Sequence, residues 1–121
     1  MATKILADVK LALNIAPGYT AFDDQLLLYI NSSFATLHQL GVGPDEGFQI
    51  ADNTAVWDEL YTEYYLNMIR SFMVIDVGIL FDPPTNPSVL NARLKIRDEL
   101  VWRLTHAAQP NYNSEDQDGE E

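Results

Sequence analysis

The sequence predicts a mainly α-helical fold: a small four-helix bundle, a short β-hairpin or extended insert between the second and third helices, and an acidic C-terminal tail. Two patterns carry this reading. Apolar residues recur every three or four positions through four separate stretches, as amphipathic helices require. Two of those stretches end in strong stops, Leu37-His38-Gln39-Leu40-Gly41-Val42-Gly43-Pro44 and Ile79-Leu80-Phe81-Asp82-Pro83-Pro84. Glycine frees a left-handed turn there, and proline cannot continue a helix. The chain has 121 residues, 47% of them hydrophobic, which suffices for the core of one domain. That domain is expected over residues 1–108, with a tail over 109–121 that is disordered alone or ordered on a partner.

The first helix falls within residues 4–15, where Ile5, Val9 and Leu13 repeat every four residues. Thr3 suits its N-cap. Ala16-Pro17-Gly18 ends it, because proline disfavours a helical residue before it. Thr20-Ala21-Phe22-Asp23 then reads as a capping box with Asp in place of Glu. The second helix runs to about Leu40, with Leu26, Ile30, Phe34 and Leu37 on one stripe. Gly41 takes the position after its C-cap, and Pro44 blocks a restart.

Residues 45–60 admit two readings. Phe48-Gln49-Ile50 and Ala55-Val56-Trp57 flank the turn signal Asp52-Asn53, which suits a hairpin. A loop followed by a helix from Thr54 fits as well. The third helix covers residues 62–81 and is apolar nearly all round, so other helices or a neighbouring subunit must enclose it. Asn86-Pro87 opens the last helix, with Asn as N-cap and Pro at the first position. Leu90, Leu94, Ile96, Val101 and Leu104 give it apolar surface, and Lys95, Glu99 and Arg103 sit four apart on a flank.

Charge narrows the function. The chain holds 18 acidic and 7 basic residues, a net charge of -11. Such a surface repels phosphate backbones, which argues against conventional nucleic-acid binding. Five acids, Glu115, Asp116, Asp118, Glu120 and Glu121, crowd the tail; without them the net charge goes from -11 to -6. No cysteine is present, so thiol chemistry and disulfides are excluded. The apolar run from Tyr64 to Phe81 contains Arg70 and Asp76, which marks a core helix rather than a membrane span. The N-terminus lacks a signal-peptide layout, because Asp8 and Lys10 interrupt any apolar core.

The candidate chemical groups have plain structural readings. Asp23 and Asp24 stand where a helix dipole favours acids. Asp58, Glu59 and Glu63 form a carboxylate group with no His at a ligand spacing, so a solvated face outweighs a metal site. His38 and His106 each sit near a helix end, where a cation is favoured. Ser32, Ser33 and His38 lack any nucleophile-elbow context. Gly41-Val42-Gly43-Pro44 follows a helix, not a strand, so it is a cap and not a phosphate cradle. No catalytic residue, cofactor or metal is expected. Arg70 and Asp76 are six apart and cannot easily pair with each other. Either both lie on an exposed edge, or Asp76 pairs with Arg93 or Lys95. Trp57 and Trp102 belong to the core or, for Trp102, to its boundary as an interface anchor.

The order of these blocks is similar to one family. A short first helix, a helix ending in Leu40-Gly41-Val42-Gly43, a Trp57-Asp58 insert, an apolar helix closed by Leu80-Phe81-Asp82-Pro83-Pro84, and a last helix with Leu100-Val101-Trp102-Arg103-Leu104 follow in turn. Together they resemble the head–tail connector (adaptor) proteins of long-tailed bacteriophages, over roughly residues 5–106. The resemblance implies a non-enzymatic virion protein at the head–tail interface, present in the host cytoplasm during assembly. It implies a homo-oligomeric ring, typically of twelve subunits, beneath the portal protein. Such a ring offers a platform to the stopper or tail-completion protein. It extends the channel through which double-stranded DNA passes without specific binding, and no membrane is involved.

On that basis Phe48, Ile50 and Trp57 are candidate contacts to a neighbouring subunit or the stopper. Trp102, His106 and Tyr112 are candidate portal contacts. Gly41, Gly43, Pro44, Phe81, Asp82, Pro83 and Pro84 are structural turn residues. The rival reading is a small acidic helical module that sequesters a basic host or phage protein. A charge mimic of DNA would spread its acids along one face, whereas five of the 18 sit in the tail here.

Overall fold

A computed structural model of the chain describes residues 4–43, 47–57 and 63–107. Four helices follow in order: α1 (Ile5–Ala12), α2 (Asp23–Gln39), α3 (Glu63–Phe81) and α4 (Pro87–Ala107). α3 is the hub. It packs on α2 along one side and on α4 along another, and α1 lies across α2 and α3. α2 and α4 touch each other little.

Periodicity in the sequence decides what is buried. Ile5 and Val9 of α1, Leu26, Ile30, Phe34 and Leu37 of α2, and Ile69, Phe72, Met73 and Val77 of α3 form one core with almost no exposure. Leu100 and Leu104 bring α4 to it. α3 is apolar on most sides because three helices share it. A methyl group at Gly78 would stand 3.4 Å from Leu13 Cδ2 just past the end of α1, at ordinary contact distance.

Two helix ends follow the sequence closely. Val42 N–H donates to Leu37 O (2.9 Å) and Gly41 N–H to His38 O (3.0 Å), with Gly41 at φ +82°. This is the paired-bond C-terminal cap, and Val42 is buried beside Leu37 as that cap requires. A methyl group on Gly41 would meet nothing within 4 Å, so strain alone acts. Gly41→Ala is therefore expected to cost about 1 kcal/mol, from the left-handed backbone penalty, in a denaturant titration. At α4, Asn86 Oδ1 accepts from Ser88 N–H (2.8 Å) and Val89 N–H (3.3 Å), which caps the helix ahead of Pro87.

Two expected caps differ. Thr3 lies outside the described residues, and extended Lys4 takes the N-cap of α1 with no side-chain bond. The Thr20–Asp23 capping box does not form. Phe22 takes the cap position of α2, and Asp23 N–H donates to the backbone of Thr20 at 3.1 Å. Tertiary contacts override the local signal: the Phe22 ring sits edge-on to Tyr19 and to Phe81, and Asp23 turns to Lys10.

Residues 47–57 take the extended alternative. Among the described residues there is no strand, only a single antiparallel bridge between Lys4 and Val56. A two-residue pairing alone is marginal, so the segment anchors on helices instead.

Candidate functional site

The fold gathers its polar residues into three ionic clusters that lock the helices. Asp8 on α1 accepts from Arg70 on α3 through Nε (2.8 Å) and Nη2 (3.0 Å), and from Trp57 Nε1 at 2.9 Å. The two guanidinium bonds reach both carboxylate oxygens, the geometry in which arginine binds most strongly. Asp76 on α3 is 8% exposed and accepts from Ser33 Oγ on α2 (2.6 Å) and Arg97 Nε on α4 (2.7 Å). The Arg97 guanidinium also stands 5.4 Å from the Phe72 ring centre. Lys10, 4% exposed, donates to Tyr19 O (2.7 Å) and Pro17 O (3.2 Å) and stands 2.8 Å from Asp23 Oδ1. The backbone carbonyls take the directed bonds, and the Asp23 contact is chiefly charge on charge.

These clusters revise the expectation for the third helix. Neither Arg70 nor Asp76 sits idle on an exposed edge. Asp76 does pair with α4, but through Arg97 rather than Arg93 or Lys95, because Arg97 is the cation that the α3–α4 register turns inward. The roles of Asp8 and Lys10 carry no sequence signal, since each meets partners far along the chain or in irregular backbone.

The insert is fixed from within. Asn31 of α2 grips it like a second strand: Nδ2 donates to Ile50 O (3.0 Å) and Oδ1 accepts from Ile50 N–H (2.8 Å). Phe48 packs edge-on against Phe34, 5.1 Å between ring centres, and Phe34 meets Trp57 at 6.3 Å. Ile5 N–H donates to Ala55 O at 2.9 Å. Asp52 accepts from the Thr54 hydroxyl and N–H, which hold its carboxyl below the usual carboxylate range. Ile50 and Trp57 are core residues, 4% and 1% exposed, while Phe48 is half-buried.

The last turns of α4 present a different surface. Trp102 is 62% exposed, and its ring stacks on that of His106 at 4.0 Å and 34°. His106 Nδ1 lies 2.8 Å from Trp102 O, which pins the pair. Trp102 is thus a surface residue, not part of the core. Val89, Leu94 and Ile96 extend exposed apolar surface along the same helix. Tyr112 lies outside the described residues, as do Asp58, Glu59 and Pro44, and nothing is placed for the Glu63 side chain. His38 borders the insert, its ring close to Gly47. Phe81, Asp82, Pro83 and Pro84 end α3 as the sequence indicates, with Asp82 N–H closing on Gly78 O at 2.8 Å.

Among the described residues no three His, Asp or Glu side chains gather as metal ligands, and no helix is long and apolar enough to cross a membrane. What the surface offers is contact area. The family described as phage connector protein matches residues 5–111. No curated protein and no solved structure matches the chain significantly.

Proposed function

The chain belongs to the phage connector protein family, a structural component of the virion, and on that premise we propose that it is the subunit of a head–tail adaptor ring. The ring sits beneath the portal protein, extends the DNA channel, and presents a platform to the stopper or tail-completion protein. The observation that carries the reading beyond family membership is the outer surface of α4. Trp102, Ile96, Val89 and Leu94 are 62%, 50%, 42% and 38% exposed on one 21-residue helix. Val89 and Ile96, seven positions apart, share one flank, and Trp102 stands on the outer face as an exposed tryptophan of the kind that anchors interfaces. The net charge of -11 supports passage of DNA without adhesion, because like charge repels the duplex.

Trp102 and His106 supply the portal contact in this reading, with Tyr112 beyond them. The insert serves as a subunit or stopper contact. There Phe48 offers partly open surface, while Ile50 and Trp57 hold the insert in shape from inside. Loading onto portal-bearing heads without tails tests the assignment. Trp102→Ala is expected to weaken loading at least tenfold, as for an aromatic anchor worth about 2 kcal/mol. The same variant should leave the thermal midpoint unchanged within a few degrees, because the indole is exposed. Undiminished loading would remove Trp102 from the contact.

A further inference from the structure

Two hollows run end to end along α3 and meet at Ala12 of α1. The larger, about 490 Å³, lies between Asp8 and Ala12 of α1 and Arg70, Ser71, Val74 and Ile75 of α3. The smaller, about 190 Å³, takes in Gly78, Asp82 and Arg93 of α4. A cavity of about 150 Å³ already admits a benzene-sized group, so the larger hollow has room for an aliphatic side chain. Val74 and Ile75 give it an apolar wall, and Ser71, small and exposed, keeps its floor open to another backbone. At the Gly78 end, Arg93 forms no ion pair with Asp82 or with any other described acid.

α2 carries the complementary shape on its outer side. Leu28 is 66% exposed, with Asp24 one turn before it and Ser32 one turn after, both exposed. Asp24 makes no ion pair among the described residues. The hollow and the leucine face opposite ways. Ser33 and Asp76 bond to each other across the α2–α3 contact. At about 100° per residue, Val74 and Gly78 lie about 160° around α3 from Asp76, and Leu28 lies about 140° around α2 from Ser33. A hollow on one side of a protomer and a knob on the other give a head-to-tail contact, which closes into a ring when repeated about an axis.

We propose that the outer face of α2 docks in the α1–α3 hollow of a second copy of this chain. The proposal rests on the ring reading above and names the surfaces that build the ring. With the two helices antiparallel, Leu28 lies on Val74 and Ile75, Ser32 stands over Ser71, and Asp24 reaches the Gly78 end, where Arg93 supplies its counter-charge. Each step is about one turn on either helix, so the three contacts share one register. Leu28 supplies apolar burial, the two serines allow close packing, and opposite charge fixes the direction.

The chain contains no cysteine, so introduced cysteines report the contact without background from the chain itself. Full-length chain carrying Ser32→Cys and Ser71→Cys, both at exposed positions, is loaded on portal-bearing, tailless heads and treated with a short bis-maleimide. The expected product is a ladder of multimers rising in steps of the 13.7 kDa chain. Either single variant alone gives none, and a 1:1 mixture of the two stops at dimers, because each chain then bears one reactive site. Leu28→Glu is expected to lower loading at least tenfold and to leave the thermal midpoint within a few degrees, because the side chain is exposed. A loaded double variant that yields no ladder, dimers from one single variant alone, or full loading of Leu28→Glu overturns the docking. Wild-type chain that does not load at all removes the ring reading and the docking with it, whereas loading without the ladder removes only the docking.

Discussion

Trp57→Ala is expected to lower the unfolding free energy by about 4 kcal/mol, the range for truncating a fully buried tryptophan. Trp57 is 1% exposed, and its ring stands edge-on to Phe34 at the centre of the core. Its Nε1 donates to Asp8, which also holds Arg70. Truncation therefore opens a cavity between α1 and α2 and removes one of three bonds to a carboxylate that is 14% exposed. Against a total stability of about 5–15 kcal/mol for a domain, a loss of that size is large. Trp57→Phe separates the two causes. It keeps a six-membered ring and loses the donor and three ring atoms, so a smaller loss of about 2 kcal/mol is expected. Denaturant unfolding of both variants checks the ratio. Equal losses would mean that the Asp8 bond, not ring packing, makes Trp57 important.

Asp76→Ala carries the second large effect, about 3 kcal/mol. The carboxylate is 11% exposed and its partner Arg97 is 28% exposed, so the substitution leaves a partly buried guanidinium without its counter-charge. The Ser33 hydroxyl loses its acceptor as well. Some water reaches Arg97, which places the cost at the low end of the range for broken buried pairs. Removing both charges, as Asp76→Leu with Arg97→Met, is expected to recover most of the loss. α4 is attached chiefly through Leu100, Leu104 and this bridge, so head loading should fall with Asp76→Ala and return with the double variant. A double variant no more stable than the single one would contradict this account of the pair.

The helices were largely legible in the sequence because their causes are local. Asn86-Pro87 and Leu40-Gly41 encode their own caps, and the stripe of Leu26, Ile30, Phe34 and Leu37 is buried as its spacing requires. The ionic clusters were less legible because their causes are distant. Asp8 and Arg70 stand 62 positions apart, and nothing near either one announces the other. For Asp76 the partner helix could be inferred, but Arg93 and Arg97 are one turn apart, and only the packing register chooses between them. The Thr20 box fails for a related reason: Lys10 of α1, buried against the α1–α2 connection, claims Asp23. For the surface, exposure of Trp102 beside Asp98, Glu99 and Arg103 follows from its charged neighbours, whereas burial of Ile50 needed the grip of Asn31.

An adaptor subunit loads on the portal as a ring. Co-sedimentation of purified full-length chain with DNA-filled, portal-bearing heads that lack tails tests it most directly, beside a chain truncated after Ala108. Saturation at a fixed, ring-like copy number per head, weakened by the truncation, is the expected result. Saturation unaffected by truncation would keep the ring and confine the portal contact to the helices, without Tyr112. Failure of both forms to bind heads would contradict the adaptor function and leave an acidic protein-binding module in its place.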